Sequence, residues 1–303
     1  MPWKKIEPAD PTGSPAPAYG LATDGTSLYV NFFDSLVKMP LAGGEVTTVH
    51  KSSEEIPLGF KTFQDDTGVL VLEKGAWVRI PFSGGAAEPL SVPLPNGAEV
   101  IDLDPATDTL WATVNDYSAK TTSVLKATIG AAAAETVISG QETGYSERWY
   151  RSGDRFFTQG PAGGSRPIYV AQPGGAPAPF AVSPPSAGLL GVTGTSVFYM
   201  ADSFESSTVG VHRLPTAGGA TQRVYSSYTT GGLSSQSWRT ADALYVNDAT
   251  YLLKFSDAGE AKRISGVPTS ACTTHMILPH GGYVYTVTFR SGTGENTVWR
   301  IKE

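Results

Sequence analysis

The residues able to do chemistry in this chain are few and scattered. His275 carries an imidazole, which titrates near neutral pH and can act as a base or a metal ligand. His280 lies five residues on, in the turn Pro279-His280-Gly281-Gly282, and two strand residues five apart point to opposite faces. Structural or exposed roles are therefore expected for both. Glu99 and Glu147 could form a carboxylate pair, as general acid/base chemistry or a divalent ion would require, though spacing alone does not bring them together. Asp102-x-Asp104-x-x-x-Asp108 has the outline of a calcium loop but lacks its glycine and terminal glutamate, and reads instead as a strand running into a turn. The single cysteine, Cys272, reads as a small buried hydrophobe. No Gly-x-Ser-x-Gly elbow, His-Glu-x-x-His helix, P-loop or dinucleotide fingerprint occurs, which lowers the hydrolase and nucleotide readings.

What must position these residues is a repeat. From Thr23 to Val49 the chain runs turn, strand, strand, glycine turn, strand: Asp24-Gly25 offers a tight hairpin, Leu28-Tyr29-Val30 a strand, Leu36 to Met39 another, Gly43-Gly44 a second turn, and Val46 to Val49 a last strand. A strand around Tyr19 to Ala22 precedes them. Four antiparallel strands in roughly 40 residues make one propeller blade. The second turn recurs at positions 43, 84, 130, 174, 218 and 258, in steps of 40 to 46 residues. Lys38 and Pro40 are answered by Arg79 and Pro81.

A seventh copy supplies Tyr283 to Thr288 and Thr297 to Ile301 and then stops one strand short, while Trp3 to Glu7 forms a strand with no partner of its own. Pairing the two closes the ring and removes unpaired strand edges. The expected fold is all-β, one domain over residues 1–303: a seven-bladed β-propeller of four-stranded antiparallel blades, closed by the N-terminal strand. Six blades is the alternative if the divergent third repeat, IDLDPATDTLWATV onward, is an insertion.

Composition agrees: Gly 34, Pro 22 and only 17% charged residues suit many short strands joined by turns. A net charge of −6 gives no basic face for nucleic acid. Apolar runs are too short to span a bilayer, the start MPWKKIEPAD lacks the apolar core of a signal peptide, and none of the five Asn residues begins a glycosylation sequon.

Leu28-Tyr29-Val30-Asn31 and Leu244-Tyr245-Val246-Asn247 resemble the signature of bacterial propellers of the YVTN type, a likeness that covers most of the chain and implies the fold rather than an activity. The related streptogramin lyases use a metal and a histidine on one face, and no matching residue pattern occurs here. The Pro-x-x-Gly-Gly wording at 40–44, 81–85 and 215–219 is similar to bacterial surface or periplasmic propellers, which implies an envelope or secreted location with any export signal removed.

In propellers, ligands meet the face formed by the loops between blades and those between the second and third strands. Residues entering each innermost strand there should rim the channel: Tyr19, Phe60, Lys61, Glu99, Glu147, Arg148, Trp149, Gln236, Trp238 and His275. Where the framework dictates Val and Leu, these departures point to binding, against the plainer reading that the aromatics pack between blades and the charges are solvated. The expected function is a non-catalytic, monomeric binding propeller for a small molecule, peptide, glycan or protein partner. The alternative is a lyase, cyclase or hydrolase using Glu147, Arg148 or His275. No cofactor is expected; a divalent ion in the channel is the one metal reading left open.

Overall fold

The computed structural model describes residues 4–5, 18–32, 34–52, 62–119, 121–142, 149–160, 167–180, 186–201, 210–226, 237–247, 251–266, 273–290 and 293–303. They form seven antiparallel sheets of four strands each, arranged as the blades of a β-propeller. Among the described residues there is no helix, and hence none long and apolar enough to cross a membrane. The divergent third repeat is a complete blade with strands Glu99–Asp104, Thr109–Asp116, Thr121–Thr128 and Glu135–Glu142, which removes the six-blade alternative.

The ring closes as the orphan strand required. Lys4–Lys5 pairs antiparallel with Glu295–Lys302, Lys4 opposite Arg300 and Lys5 opposite Trp299, and becomes the outermost strand of blade 7. The innermost strands are Gly20–Thr23, Phe63–Gln64, Glu99–Asp104, Trp149–Ser152, Ser186–Val192, Ser237–Arg239 and Thr273–His280. Each enters from the preceding blade and leaves through a tight turn to the second strand.

The core is divided into seven apolar clusters, one in each gap between neighbouring blades. Alternation along a strand explains this. Leu28 and Val30 pack toward blade 7, whereas Tyr29 between them packs toward blade 2. Leu244 and Val246 likewise pack with blade 5 and Tyr245 with blade 7. Both faces of each blade are buried, so second strands such as Ser27–Asn31 and Gly68–Glu73 carry unbroken apolar runs. The Leu-Tyr-Val-Asn wording is thus a packing signature. Asn31 completes it by donating from Nδ2 to Thr62 Oγ1 of blade 2 at 2.9 Å. Thr62 comes so close that a Cβ on Gly20 would lie 1.8 Å from its Oγ1, which only glycine avoids.

A cation recurs on the third strand. Lys38, Arg79, Lys126, Arg213, Lys254 and Arg300 stand opposite Tyr29, Leu70, Trp111, Phe198, Tyr245 and Tyr285 in register, and only blade 4 departs, with Val170 opposite Phe157. Lys38, Lys126 and Lys254 place their ammonium groups 5.2, 5.6 and 5.4 Å from the facing ring centroids. In blade 1 the hairpin acid joins in. Asp24 accepts from the N–H groups of Thr26 and Ser27 and from the Tyr29 hydroxyl, and pairs with Lys38 at 3.3 Å. Burial alone would raise the Asp24 carboxyl, but these hydrogen bonds outweigh it and hold it far below the usual carboxylate range. In blade 2 Asp65 does the same with Thr67, Gly68 and Arg79, the ion pair closing at 2.6 Å, and its pKa is lowered against the opposing pull of burial.

Candidate functional site

At the turn end of the inner strands the described part of the channel carries a charged cluster. Blade 3 supplies Asp102, and a bulge sets it. Val100 pairs with Ala112 and Asp102 with Trp111, so Ile101 is an extra residue in the inner strand. Such an insertion twists a strand and re-aims the side chain beyond it. Asp102 Oδ2 meets Arg151 Nη1 of blade 4 at 2.8 Å and its Oδ1 meets Arg239 Nη2 of blade 6 at 2.8 Å.

Arg239 spans further. Its Nη1 donates to the carbonyls of Arg151 at 2.7 Å and Val192 at 3.4 Å, and its Nη2 to the carbonyl of Ile101 at 3.5 Å. One guanidinium from blade 6 thereby ties blades 3, 4 and 5, a use for which its planar fork of donors is suited. Arg151 lies with its guanidinium 4.3 Å from the Trp111 ring centroid. In blades 1 and 2 the same level is tied by an amide: Thr23 N–H donates to Gln64 Oε1 at 2.8 Å, and Gln64 Nε2 donates back to the Thr23 carbonyl at 3.3 Å.

Beside this cluster is a cavity of about 370 Å³. Leu21, Phe63, Leu103 and Leu278 give it apolar walls from blades 1, 2, 3 and 7, and Asp65, Asp66 and Asp102 give it carboxylates. Asp66 and Pro105, both in hairpin turns, stand among the lining residues, so the cavity lies toward the turn end of the channel. That is the mouth opposite the inter-blade loops to which sequence reasoning points.

Of the predicted rim residues, Tyr19 is half-buried just before the inner strand of blade 1, its N–H donating to the Asn31 carbonyl at 2.7 Å. Glu99 opens the inner strand of blade 3 and is exposed. Trp149 opens that of blade 4 and is buried in the gap to blade 3 with Trp111 and Phe156. Trp238 is half-buried against the core between blades 6 and 7. The structure sets these four on four different blades. His275 is the extra residue of a bulge in the inner strand of blade 7, between Thr274 and Met276; its side chain lies outside the description. Phe60, Lys61, Glu147, Arg148, Gln236 and Cys272 lie outside the described residues. The Asp102 to Asp108 stretch is the strand and turn expected, with Asp104 Oδ1 accepting from Ala106 N–H at 3.1 Å. Among the described residues no three His, Cys, Asp or Glu side chains gather to hold a metal.

Arg151, Arg239 and the role of Asp102 were missed. The signal was present, since Arg151 faces Phe156 and Arg239 faces Leu244, the repeat position held by Thr23, Gln64, Leu103, Val192 and Pro279 elsewhere. Two arginines among those residue types are a departure from the framework.

No family model matches this chain, and no curated protein matches it in sequence. Solved structures do. A prolyl endopeptidase is 12% identical with a TM-score of 0.62, over 95% of this chain and 50% of the other. The β-propeller domain of the Trilobed protease from Pyrococcus furiosus is 10% identical at TM-score 0.59, over 94% of this chain and 95% of the other. The Pan2 WD40 domain of Neurospora crassa is 10% identical at TM-score 0.54, over 94% and 89%. The chain spans only half the length of the endopeptidase and 39% of an extracellular domain from B. thetaiotaomicron that it also matches. At such identities the likeness is one of fold, and the fold shared is the β-propeller.

Proposed function

We propose that this chain is a non-catalytic binding propeller that receives a small ligand, free or as part of a peptide, in its central channel. The observation that carries this reading is the cavity of about 370 Å³ at the turn end of the channel, walled by four blades. Its volume lies within the range of small-molecule sites, roughly 300–1,000 Å³. Its lining is divided evenly between apolar side chains and polar ones, among them Thr62, Gln64 and the three carboxylates. The groups behind it are held rather than poised: Asp102 is shared between two guanidiniums, and Arg239 is committed to three carbonyls of the ring. Fixed donors and acceptors recognise a ligand without reorganisation on binding.

A thermal-shift screen of small fragments tests the reading, with Leu103→Trp as the variant that fills the cavity. Hits at about ten times their Kd should stabilise the wild-type protein by roughly 1.4 kcal/mol, a rise of a few degrees in Tm. The same hits should leave folded Leu103→Trp unmoved. Hits that raise both proteins equally would overturn the channel as the binding seat.

A further inference from the structure

We propose that Asn96 is a self-modifying site: in the folded protein its side-chain amide closes on the backbone nitrogen of Gly97, loses ammonia and takes up water, leaving aspartate or isoaspartate in the loop between blades 2 and 3. The proposal is independent of what the channel binds.

Asn96-Gly97 is the single Asn-Gly step in the sequence, and the structure leaves it open. Val92, Leu94 and Ala98 anchor the loop against Val100, Leu110 and Ala112 of blade 3, while Pro95, Asn96 and Gly97 are exposed at its tip. The tip is a turn closed by Ala98 N–H donating to the Pro95 carbonyl at 3.1 Å, with Gly97 at φ 80°. A positive φ at the third residue of such a turn is the form glycine fits. Among the described residues neither Asn96 nor the Gly97 N–H makes a hydrogen bond, and a Cβ at Gly97 would meet nothing within 4 Å. The attacking nitrogen therefore has no bond to give up and no side chain beside it. Three other asparagines are shielded or held. Asn31 and Asn296 are buried, Asn115 Oδ1 accepts from Thr122 Oγ1 at 2.6 Å, and each precedes a residue with a side chain. Asn247 precedes Asp248, and its side chain lies outside the description.

The chemistry balances with water as the one co-reactant. Hydroxide or water takes the Gly97 amide proton, and the nitrogen attacks Asn96 Cγ. The Cγ–Nδ2 bond breaks, and Nδ2 leaves as ammonia with a proton from solvent. A five-membered imide now joins Cγ to the Gly97 nitrogen. One water molecule opens it: cleavage at Cγ gives aspartate, and cleavage at the main-chain carbonyl gives isoaspartate, whose main chain runs through Cβ and Cγ and is a methylene longer. Either product replaces a neutral amide by a carboxylate, so each event makes the net charge of −6 one unit more negative. The new charge stands three residues before Glu99, which is exposed at the start of the inner strand of blade 3.

The test incubates the folded full chain in warm, mildly alkaline buffer and follows each asparagine by peptide mass spectrometry, with isoaspartate scored by fragmentation. Asn96 should convert at least about tenfold faster than Asn31 or Asn115, at a rate that rises with hydroxide concentration, and should yield both products with isoaspartate in excess. Asn96→Gln, which would have to close a larger six-membered ring, should stay unmodified at that position. A parallel sample unfolded in guanidinium chloride separates fold from sequence. Conversion of Asn96 in the unfolded sample but not in the folded one would show that the turn protects the amide, and would overturn the proposal. Aspartate without isoaspartate would overturn the cyclic route in favour of direct hydrolysis by water. Another asparagine converting first in the folded chain would overturn the choice of site.

Discussion

Arg239 concentrates more of the ring's cross-blade bonding than any other described side chain of the channel. Its donors reach Asp102 of blade 3 and the carbonyls of Ile101, Arg151 and Val192, on blades 3, 4 and 5. Removing it leaves Asp102 with one counter-charge and three carbonyls without this donor, so Arg239→Ala should lower stability by about 2–4 kcal/mol in denaturant unfolding. Arg239→Lys should recover little of that loss, because a single ammonium cannot reach four acceptors spread over three blades. Full rescue by lysine would show that only the charge matters. Asp65 gives a pH prediction. Its folded pKa is depressed, so its contribution is present above the unfolded value near 3.9 and is lost as pH falls through the folded one. Asp65→Asn should cost about 1–3 kcal/mol at pH 7, and the wild-type and mutant stabilities should converge as the solution is taken below about pH 4. A gap that persists into strong acid would contradict the assignment.

Strands and turns were the part most open to sequence reasoning, because a repeat states the same local chemistry several times. The cation of the third strand shows why. Lys38 and Arg79 are alike in sequence because each faces a residue of the second strand and reaches the hairpin acid, Asp24 or Asp65. The channel cluster was less open. Asp102 comes into place only through the extra residue Ile101, and Arg151 and Arg239 meet it from other blades, a convergence no local spacing encodes. The rim residues were read from where inner strands begin, whereas the cavity lies where they end. Glycines test the strands themselves. Gly210 opens the third strand of blade 5 at φ 151°, and a Cβ there would lie 2.0 Å from the Tyr225 carbonyl oxygen. Gly188, in the inner strand of the same blade, has open space around that position. Gly210→Ala should therefore destabilise by about 2–4 kcal/mol and Gly188→Ala by less than about 1 kcal/mol. Equal effects would mean that the outer pairing of blade 5 differs from the one described.

At the scale of the molecule, stability depends on closure, and so does the proposed binding. The apolar gap between blades 7 and 1 is one of seven of its kind, and the pairing of Lys4–Lys5 with Trp299 and Arg300 completes the sheet on one side of that gap. Deleting residues 1–7 should lower Tm by several degrees and expose the edge of the Glu295–Lys302 strand, read as faster amide exchange around Trp299 and Arg300. Unchanged exchange there would remove the N-terminal strand from the account of closure. A closed ring holds Leu21, Phe63, Asp102 and Leu278 of separate blades around one cavity, and the binding reading depends on that convergence. Methyl NMR of the full chain during titration with the tightest-binding hit of the fragment screen tests it most directly. The account predicts shifts concentrated on Leu21, Leu103 and Leu278, with the remote buried Val137 and Leu253 still. Shifts centred elsewhere, with those three leucines unmoved, would contradict it.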